Sequence, residues 1–286
     1  MGNDSGPVAS APRDLPRKQE TETDDAPRDE REVLASIAAE AGLRRVHFVA
    51  WRDLDDPEAG GSELHAHKIA SLWAAAGLDV TFRTSAVHGA SEILTRDGYR
   101  VIRRAGRYGV FPGAAWQGKR MGYRPGDALV EVWNGMPFIS PLWYGGPRVV
   151  FLHHVHAEMW GMVLPPTLAR LGETMERRIA PRFYRRSRIV TLSNSSRDEI
   201  VDMLHLSAER ITVAPPGVDE RYHPAGHRSE TPLVVAVGRL VPVKRFDALL
   251  RALAPLKADH PGLEAVIIGE GYERAALEAL RGELGV

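Results

Sequence analysis

Residues 46–83 read VHFVAWRDLDDPEAGGSELHAHKIASLWAAAGLDVTFR, and the fold class follows from them. Val46 to Trp51 is a short apolar run of strand length, followed by a loop rich in Asp, Pro and Gly. A helix is expected from about Ser62 to Ala76, because Ile69, Leu72, Trp73 and Ala76 fall at i, i+3, i+4 and i+7 and Gly77 ends the run. Val80 to Arg83 is the next strand. Further along, Ala128–Val132, Val149–Leu152 and Ile189–Leu192 are β-branched runs of the same kind. Strands with continuous apolar character, alternating with helices, make an α/β protein whose parallel sheet is covered on both faces.

The pattern restarts after residue 232. Leu233–Val237 and Leu263–Ile268 read as strands. Phe246, Leu249, Leu250 and Leu253 form one helix stripe, and Leu277, Leu280 and Leu284 another. Pro255 is expected to kink or end the first of these helices. Between the two alternating regions lies PPGVDERYHPAGHRSETP, residues 215–232, whose Pro, Gly and His content predicts a linker. Residues 1–30 carry four prolines and twelve charges with almost nothing bulky and apolar, so they are expected to form a disordered tail. The organisation expected is therefore a tail (1–30), an N-terminal domain (31–214), a linker (215–232) and a second domain (233–286). Two strands and two helices make a small core for a parallel sheet, so this second domain is expected to be incomplete and prone to self-association.

Composition removes several function classes. With no cysteine there is no disulfide, thiolate zinc site, iron–sulfur cluster or cysteine nucleophile. Lys plus Arg (37) balances Asp plus Glu (37), and no recognised binding motif accompanies the local charge, so nucleic acid is not an expected partner. No run approaches the roughly 18 apolar residues of a membrane span, and MGNDSG opens neither a signal peptide nor a myristoylation site. A cytoplasmic protein, peripheral to the membrane at most, is expected. The charge is unevenly spread. Residues 96–124 hold eight bases against Asp97, interleaved with Tyr99, Tyr108, Phe111, Trp116 and Tyr123. Residues 170–188 hold seven arginines against Glu173 and Glu176. These stretches read either as solvated faces or as a surface for anionic headgroups or a phosphorylated acceptor.

Three sets of residues can carry chemistry. Gly60-Gly61-Ser62-Glu63 leads from strand into helix, where glycines admit a close backbone approach and free amides face an anion; Ser62 as an ordinary cap explains the same letters. His153-His154-Val155-His156 ends a strand at the edge where open α/β sheets bind ligands, so His153 can serve as a base or hydrogen-bond a sugar hydroxyl. Zinc fits these three histidines poorly, because adjacent strand residues point to opposite faces and the only nearby carboxylate is Glu158. His65 and His67, two apart on a helix, read as surface residues. In the second domain Gly238-Arg239-Leu240 with Lys244 places two cations in a strand-to-helix loop, a grip suited to a diphosphate. Gly269-Glu270-Gly271 gives only GxG, followed by Arg274, so a nicotinamide enzyme is disfavoured.

GGSE, PRVVFLHH, PPGVD, VAVGRLVPVK and IIGEGYERAALE occur in the order in which they stand in family 4 glycosyltransferases of the GT-B type. The resemblance covers roughly residues 44–286. It implies two facing Rossmann-like domains and retaining transfer of a sugar from a nucleotide-sugar donor, with no metal and no other cofactor. By resemblance, His153 contacts the transferred sugar and is the catalytic candidate, while Gly238, Arg239 and Lys244 bind the diphosphate. The loop Gly269, Glu270 and Gly271 lies near the nucleotide base. Gly60, Gly61, Asn134 (in WNGMPF) and His154 form the acceptor side. The family's later pair of glutamates, which hold donor ribose and sugar, has no counterpart in these residues, and Pro216 stands where Asn is common. Enzymatic transfer to an acceptor that the sequence does not identify is the leading expectation. The alternative is a non-catalytic module binding a sugar nucleotide or a partner.

Overall fold

The computed structural model describes residues 29–157, 159–219, 221–224, 226 and 228–286. Nearly all of the expected tail therefore lies outside the described residues. From Asp29, whose side chain caps it, the chain forms α1 (Glu30–Glu40) and then β1 (Arg45–Val49), α2 (Gly61–Ala75) and β2 (Asp79–Thr84). A hairpin of β3 (Ile93–Arg96) and β4 (Tyr99–Arg103) precedes α3 (Val110–Met121), β5 (Asp127–Trp133) and β6 (Arg148–Leu152). Next come α4 (Met159–Val163), α5 (Pro166–Thr174), a π-helical turn (Met175–Ile179) and α6 (Ala180–Tyr184). The first unit closes with β7 (Arg188–Thr191), α7 (Asn194–Leu204) and β8 (Ile211–Val213).

These strands form one sheet in the order β3-β4-β2-β1-β5-β6-β7-β8, parallel throughout except for the edge strand β3. The alternation along β1 explains the two-sided covering. Val46 and Phe48 face α2, where Phe48 stacks on Phe82 at 5.0 Å, while Val49 faces α3 with Val110, Ala114 and Leu129. Farther along, Val150, Leu152 and Ile189 pack under Tyr184, Ile200 and Leu204.

Three expectations need correction. The buried face of α2 is Glu63, Ala66, His67 and Ala70, the same i, i+3, i+4, i+7 spacing in an earlier phase, with Ile69 and Trp73 only partly buried beside it. Two alanines let the helix approach the sheet closely, and that carries His67 inside rather than onto the surface. The basic stretch 96–124 is not all solvated: β4 buries Tyr99 and Arg103, and Asp97-Gly98, with φ of 44° and 84°, makes a tight hairpin turn. Pro255 does not end its helix, since α8 (Phe246–Asp259) runs through it. Proline removes one backbone bond to the carbonyl of Arg251, and both residues are exposed, so the loss falls on the solvent side of the helix.

The second unit contains β9 (Leu233–Val237), α8, β10 (Glu264–Ile268) and α9 (Arg274–Glu283), with β9 and β10 parallel and in register. Leu240, Phe246, Leu250 and Leu277 form its core, with Ala236 and Ile267 packed beneath the helices. The other face of this two-stranded sheet leaves Leu233, Val235, Val237, Val266 and Ile268 exposed.

Candidate active site

Leaving out the edge strand β3, the strand order runs outward in both directions from β1 and β5, which makes their carboxyl ends the topological switch point. The crevice there collects the loop before α2, the residue after β5 and the histidines after β6. Gly60 N and Ser62 Oγ donate to Glu63 Oε2 at 2.8 and 2.9 Å. Asn134 Nδ2 reaches across from β5 to Ser62 Oγ (3.0 Å) and Glu63 Oε1 (3.2 Å). Glu63 is the hub of this network and is buried, yet the sequence reading quotes it only as the last residue of the glycine turn and assigns it no role. Its signal was the spacing of a helix cap, in which a glutamate three residues into the helix folds back onto the first amide. Asn134 and Gly60 are thus joined through Glu63, and the Asn134 amide is engaged with the Gly60–Glu63 turn. Gly61 is exposed, and a Cβ there would meet nothing within 4 Å.

His153 sits at the end of β6 with 7% of its surface exposed. Its Nε2 lies 3.0 Å from Nδ1 of His65 on α2, and its Nδ1 is buried without a partner among the described residues. Burial, reinforced by His65 and His154, lowers the His153 pKa to about 4; burial also lowers that of His65. At neutral pH both rings are uncharged and share one proton between facing nitrogens. The sequence reading of His65 as a surface residue is thus corrected: the second turn of α2 points it at His153. His154 stacks on His156 at 4.8 Å, and its pKa is lowered by burial, with Glu199 opposing and Lys244 adding to the effect. Among the described residues no group of three or more His, Cys, Asp or Glu is arranged to hold a metal ion.

The histidine turn is held from below. Buried Glu176, in the π-helical turn, accepts hydrogen bonds from His156 N (2.9 Å), Ala157 N (3.0 Å) and Trp160 Nε1 (2.9 Å). Ala157 takes a left-handed φ of 40°, which costs a non-glycine residue about 1–2 kcal/mol, and this pair of backbone contacts fixes it there. A Cβ on Gly135 would stand 3.1 Å from His156 Nε2 and 3.2 Å from the Trp160 ring, so that glycine admits close packing of the β5 loop.

His67 is a core residue. Its Nδ1 meets Tyr99 Oη at 2.7 Å, its ring stacks on Phe82 at 3.9 Å, and burial lowers its pKa to about 4. Beside it, Asp53 is fully buried and takes both Arg96 nitrogens (3.0 Å each) and Arg103 Nη2 (2.6 Å). Burial opposes the charge of Asp53, but the bonds from Arg96, the Asp55 amide and Arg103 outweigh it and lower the pKa. Arg96 and Arg103, read from sequence as part of a basic surface, instead neutralise an internal carboxylate behind the crevice.

The second unit faces this crevice with the loop after β9. Arg239 is exposed and donates from Nη1 to the carbonyl of Glu58 at 2.9 Å, and its guanidinium would lie 3.4 Å from a Cβ on Gly60. Glu58 is otherwise occupied by Arg52 and Arg107, and the bond from Arg107, helped by the charge of Arg52 and opposed by burial, lowers its pKa. Lys244 is exposed and near enough to His154 to depress its protonation. Arg239 thus reaches the Gly60 turn, and Lys244 in the same loop adds positive charge that is felt at His154. The glycines around them are explained by close approach: Cβ atoms on Gly269 and Gly271 would stand 1.8 and 2.2 Å from the carbonyls of Gly238 and Leu240. Gly238 and Leu240 in turn donate to the Ile268 and Glu270 carbonyls, which locks the two loops together. The Glu270 side chain points outward and pairs with Arg274 at 2.7 Å.

Two Rossmann-like units that meet across a crevice lined by a glycine turn, histidines and loop cations define a GT-B architecture. The pattern of Glycosyltransferase Family 4 matches residues 59–222, and that of Glycosyl transferases group 1 matches residues 219–286. The chain belongs to Glycosyltransferase Family 4. It is 31% identical over 216 residues to the GDP-mannose-dependent alpha-(1-6)-phosphatidylinositol monomannoside mannosyltransferase of Mycolicibacterium smegmatis, covering 68% of this chain and 53% of that protein. It is 27% identical over 314 residues to the D-inositol 3-phosphate glycosyltransferase of Acidothermus cellulolyticus, covering 90% of this chain and 66% of the relative. The chain thus spans between about half and two thirds of the length of these two relatives. The fold is similar to that of a glycosyltransferase from Rickettsia africae (TM-score 0.60, 15% identity, 85% of this chain and 64% of that one).

Proposed function

We propose that this protein takes part in retaining transfer of a sugar from a nucleoside-diphosphate donor to a hydroxyl acceptor. In the step, the bond between the anomeric carbon and the phosphate oxygen breaks and the nucleoside diphosphate leaves with the bonding pair. The acceptor oxygen bonds to the same face of the sugar, and its proton passes to an oxygen of the departing diphosphate. Arg239 and Lys244 act on the leaving diphosphate, where fixed cations in a crevice stabilise developing charge without reorganisation. Neutral His153 positions the sugar by a hydrogen bond from its unpartnered Nδ1 side or by exchanging its bond with His65. Neither role requires a bound metal.

The observation that carries this reading is the approach of Arg239 to the Gly60 turn, which brings the loop cations of one unit to the switch-point crevice of the other. Two relatives are named for phosphorylated inositol compounds, which supports a polyol carrying phosphate as the first acceptor class to try. The test is a panel of nucleotide sugars assayed with inositol phosphates and followed by release of nucleoside diphosphate. Donor-dependent release that needs the acceptor, with retained anomeric configuration in the product, is expected. Inverted configuration would overturn the retaining step, and binding of no nucleotide sugar would overturn the reading.

A further inference from the structure

The face of a parallel sheet beneath a helix is ordinarily apolar, and the face beneath the last turn of α3 is not. There Arg100, Thr81 and His47 stand side by side in one cross-strand row, and Arg83 lies in the next row. With Gln117 and Met121 of α3 and with Trp143 and Tyr144 before β6, they border a cavity of about 80 Å3. None of its lining residues belongs to the crevice. Arg83 is only 6% exposed and has no carboxylate partner among the described residues. Its guanidinium donates to the carbonyls of Thr84 and Arg104 and to Gln117 Oε1 (3.2 Å), which leaves Nη2 without a protein acceptor among them. Burial, reinforced by Arg104, lowers the Arg83 pKa to about 10, and Glu92, which opposes this, is paired with Arg104. Arg100 also has no carboxylate partner among the described residues, although Arg96, Arg103 and Arg104 are each paired. Two further lining atoms, His47 Nδ1 and Tyr144 Oη, are buried with no hydrogen-bond partner. An unpaired buried charge and an unpaired buried hydroxyl each cost stability, so together they mark a place for a ligand.

The lining is graded from one side to the other. Arg83 and Arg100, on β2 and β4, offer charge-assisted donors to an anion. Ile102, Leu129, Ala114 and Trp143 give the same cavity an apolar wall that a bare phosphate would not use. On the β1 and β5 side, Asp79 and Asp127 act on His47, so a second negative charge is unwelcome there and a neutral hydroxyl is suited. A cavity of about 150 Å3 holds a benzene ring, so about 80 Å3 takes roughly three or four non-hydrogen atoms, with a carboxylate left at the mouth beside exposed Arg100. We propose that this cavity binds a small hydroxycarboxylate, its carboxylate held by Arg100 and Arg83 and its hydroxyl by Tyr144 Oη and His47 Nδ1. The hydroxyl donates to one of these two atoms and accepts from the other, as the histidine tautomer permits. The proposal is independent of the sugar-transfer reading, because the two sites share no residue.

The test is titration of the whole chain, followed by NMR, with 3-hydroxybutyrate, butyrate, 3-hydroxybutyramide and inorganic phosphate. Saturable binding of 3-hydroxybutyrate is expected, about fivefold tighter than butyrate, with the neutral amide and phosphate far weaker. Shifts should centre on the amides of Ala114, Gln117 and Tyr144 and leave those of Gly60 and His153 in place. Arg100→Gln should weaken binding of both acids about tenfold, since it removes a charge-assisted contact from an exposed position. Tyr144→Phe should abolish the preference for 3-hydroxybutyrate over butyrate. In the absence of ligand its melting temperature should be unchanged or higher, because the hydroxyl it removes has no partner. Binding of none of the probes would overturn the proposal and leave the cavity to water. Phosphate or the amide binding as tightly as 3-hydroxybutyrate, equal affinity for the two acids, or unchanged binding in both variants would overturn it as well.

Discussion

His65 Nδ1 on α2 and His153 Nε2 at the end of β6 stand 3.0 Å apart, so the helix that opens at the glycine turn also sets the tautomer of the crevice histidine. Whichever nitrogen carries the shared proton, the Nδ1 of His153 is fixed as the complementary donor or acceptor. Replacing His65 by Leu should leave both nitrogens of a 7% exposed ring without a partner and cost about 1–3 kcal/mol. Nitrogen chemical shifts of His153 should change from one dominant tautomer to a mixture. Unchanged shifts in the variant would mean that the two rings do not share a proton.

Acid should unfold this protein earlier than its carboxylates alone predict. His67 and His153 have pKa values lowered to about 4, and His156 to about 3, each mainly by burial. In the unfolded chain these groups titrate near 6.5, so between roughly pH 6.5 and 4 the unfolded state binds more protons. Their contribution is full above about pH 6.5 and is lost as pH falls toward 4. The urea midpoint should therefore drop steadily from neutral pH to about pH 5, and His67→Phe should flatten part of that slope. A midpoint constant across this window would contradict the burial of the three rings.

Arg239→Ala should weaken binding of a nucleoside diphosphate by about 1.5–3 kcal/mol while leaving the nucleoside nearly unaffected, because a charge-assisted bond to phosphate is what it removes. Titration calorimetry with the two ligands separates the cases. Equal losses would show that Arg239 acts only through its bond to the Glu58 carbonyl.

Glu176→Gln tests the brace under the histidine turn. A glutamine has one acceptor oxygen where the carboxylate uses two, so one of the His156 and Ala157 amides loses its partner. A loss of about 1–3 kcal/mol in stability is expected, with a fall in turnover at unchanged donor affinity. Full turnover in a destabilised variant would confine Glu176 to a purely structural part.

The alternation in residues 46–83 and 233–268 was legible because buried parallel strands are uninterrupted runs of Val, Ile and Phe, a signal that needs no tertiary knowledge. The β3–β4 hairpin was equally written in Asp97-Gly98 between ILTR and YRVI, but its arginines masked it, since a strand whose Arg103 neutralises buried Asp53 looks like a solvated one. His65 and His67 were misread for a related reason. Polar side chains on a helix are assigned to solvent unless their partners are known, and Tyr99, Asp53 and His153 lie 32, 14 and 88 positions away. The cations of the second unit were visible as residues, and their approach to Gly60 is a property of the docked units that no local pattern encodes.

The second unit should be the least protected part of the chain. Helices α8 and α9 cover one face of β9 and β10, and Leu233, Val235, Val237, Val266 and Ile268 form the bare opposite face. Each strand there has a single neighbour, whereas β1, β5 and β6 each have two. Local opening then exposes little additional apolar surface, so its free-energy cost is small. Amides of residues 233–268 should exchange faster than those of β1, β5 and β6, and bare apolar faces should associate at high concentration. Val237→Thr and Val266→Thr together should reduce that association, measured by sedimentation, without altering exchange in the first unit. Slow exchange in both units from a monomer at every concentration would show that β9 and β10 are as well supported as the eight-stranded sheet.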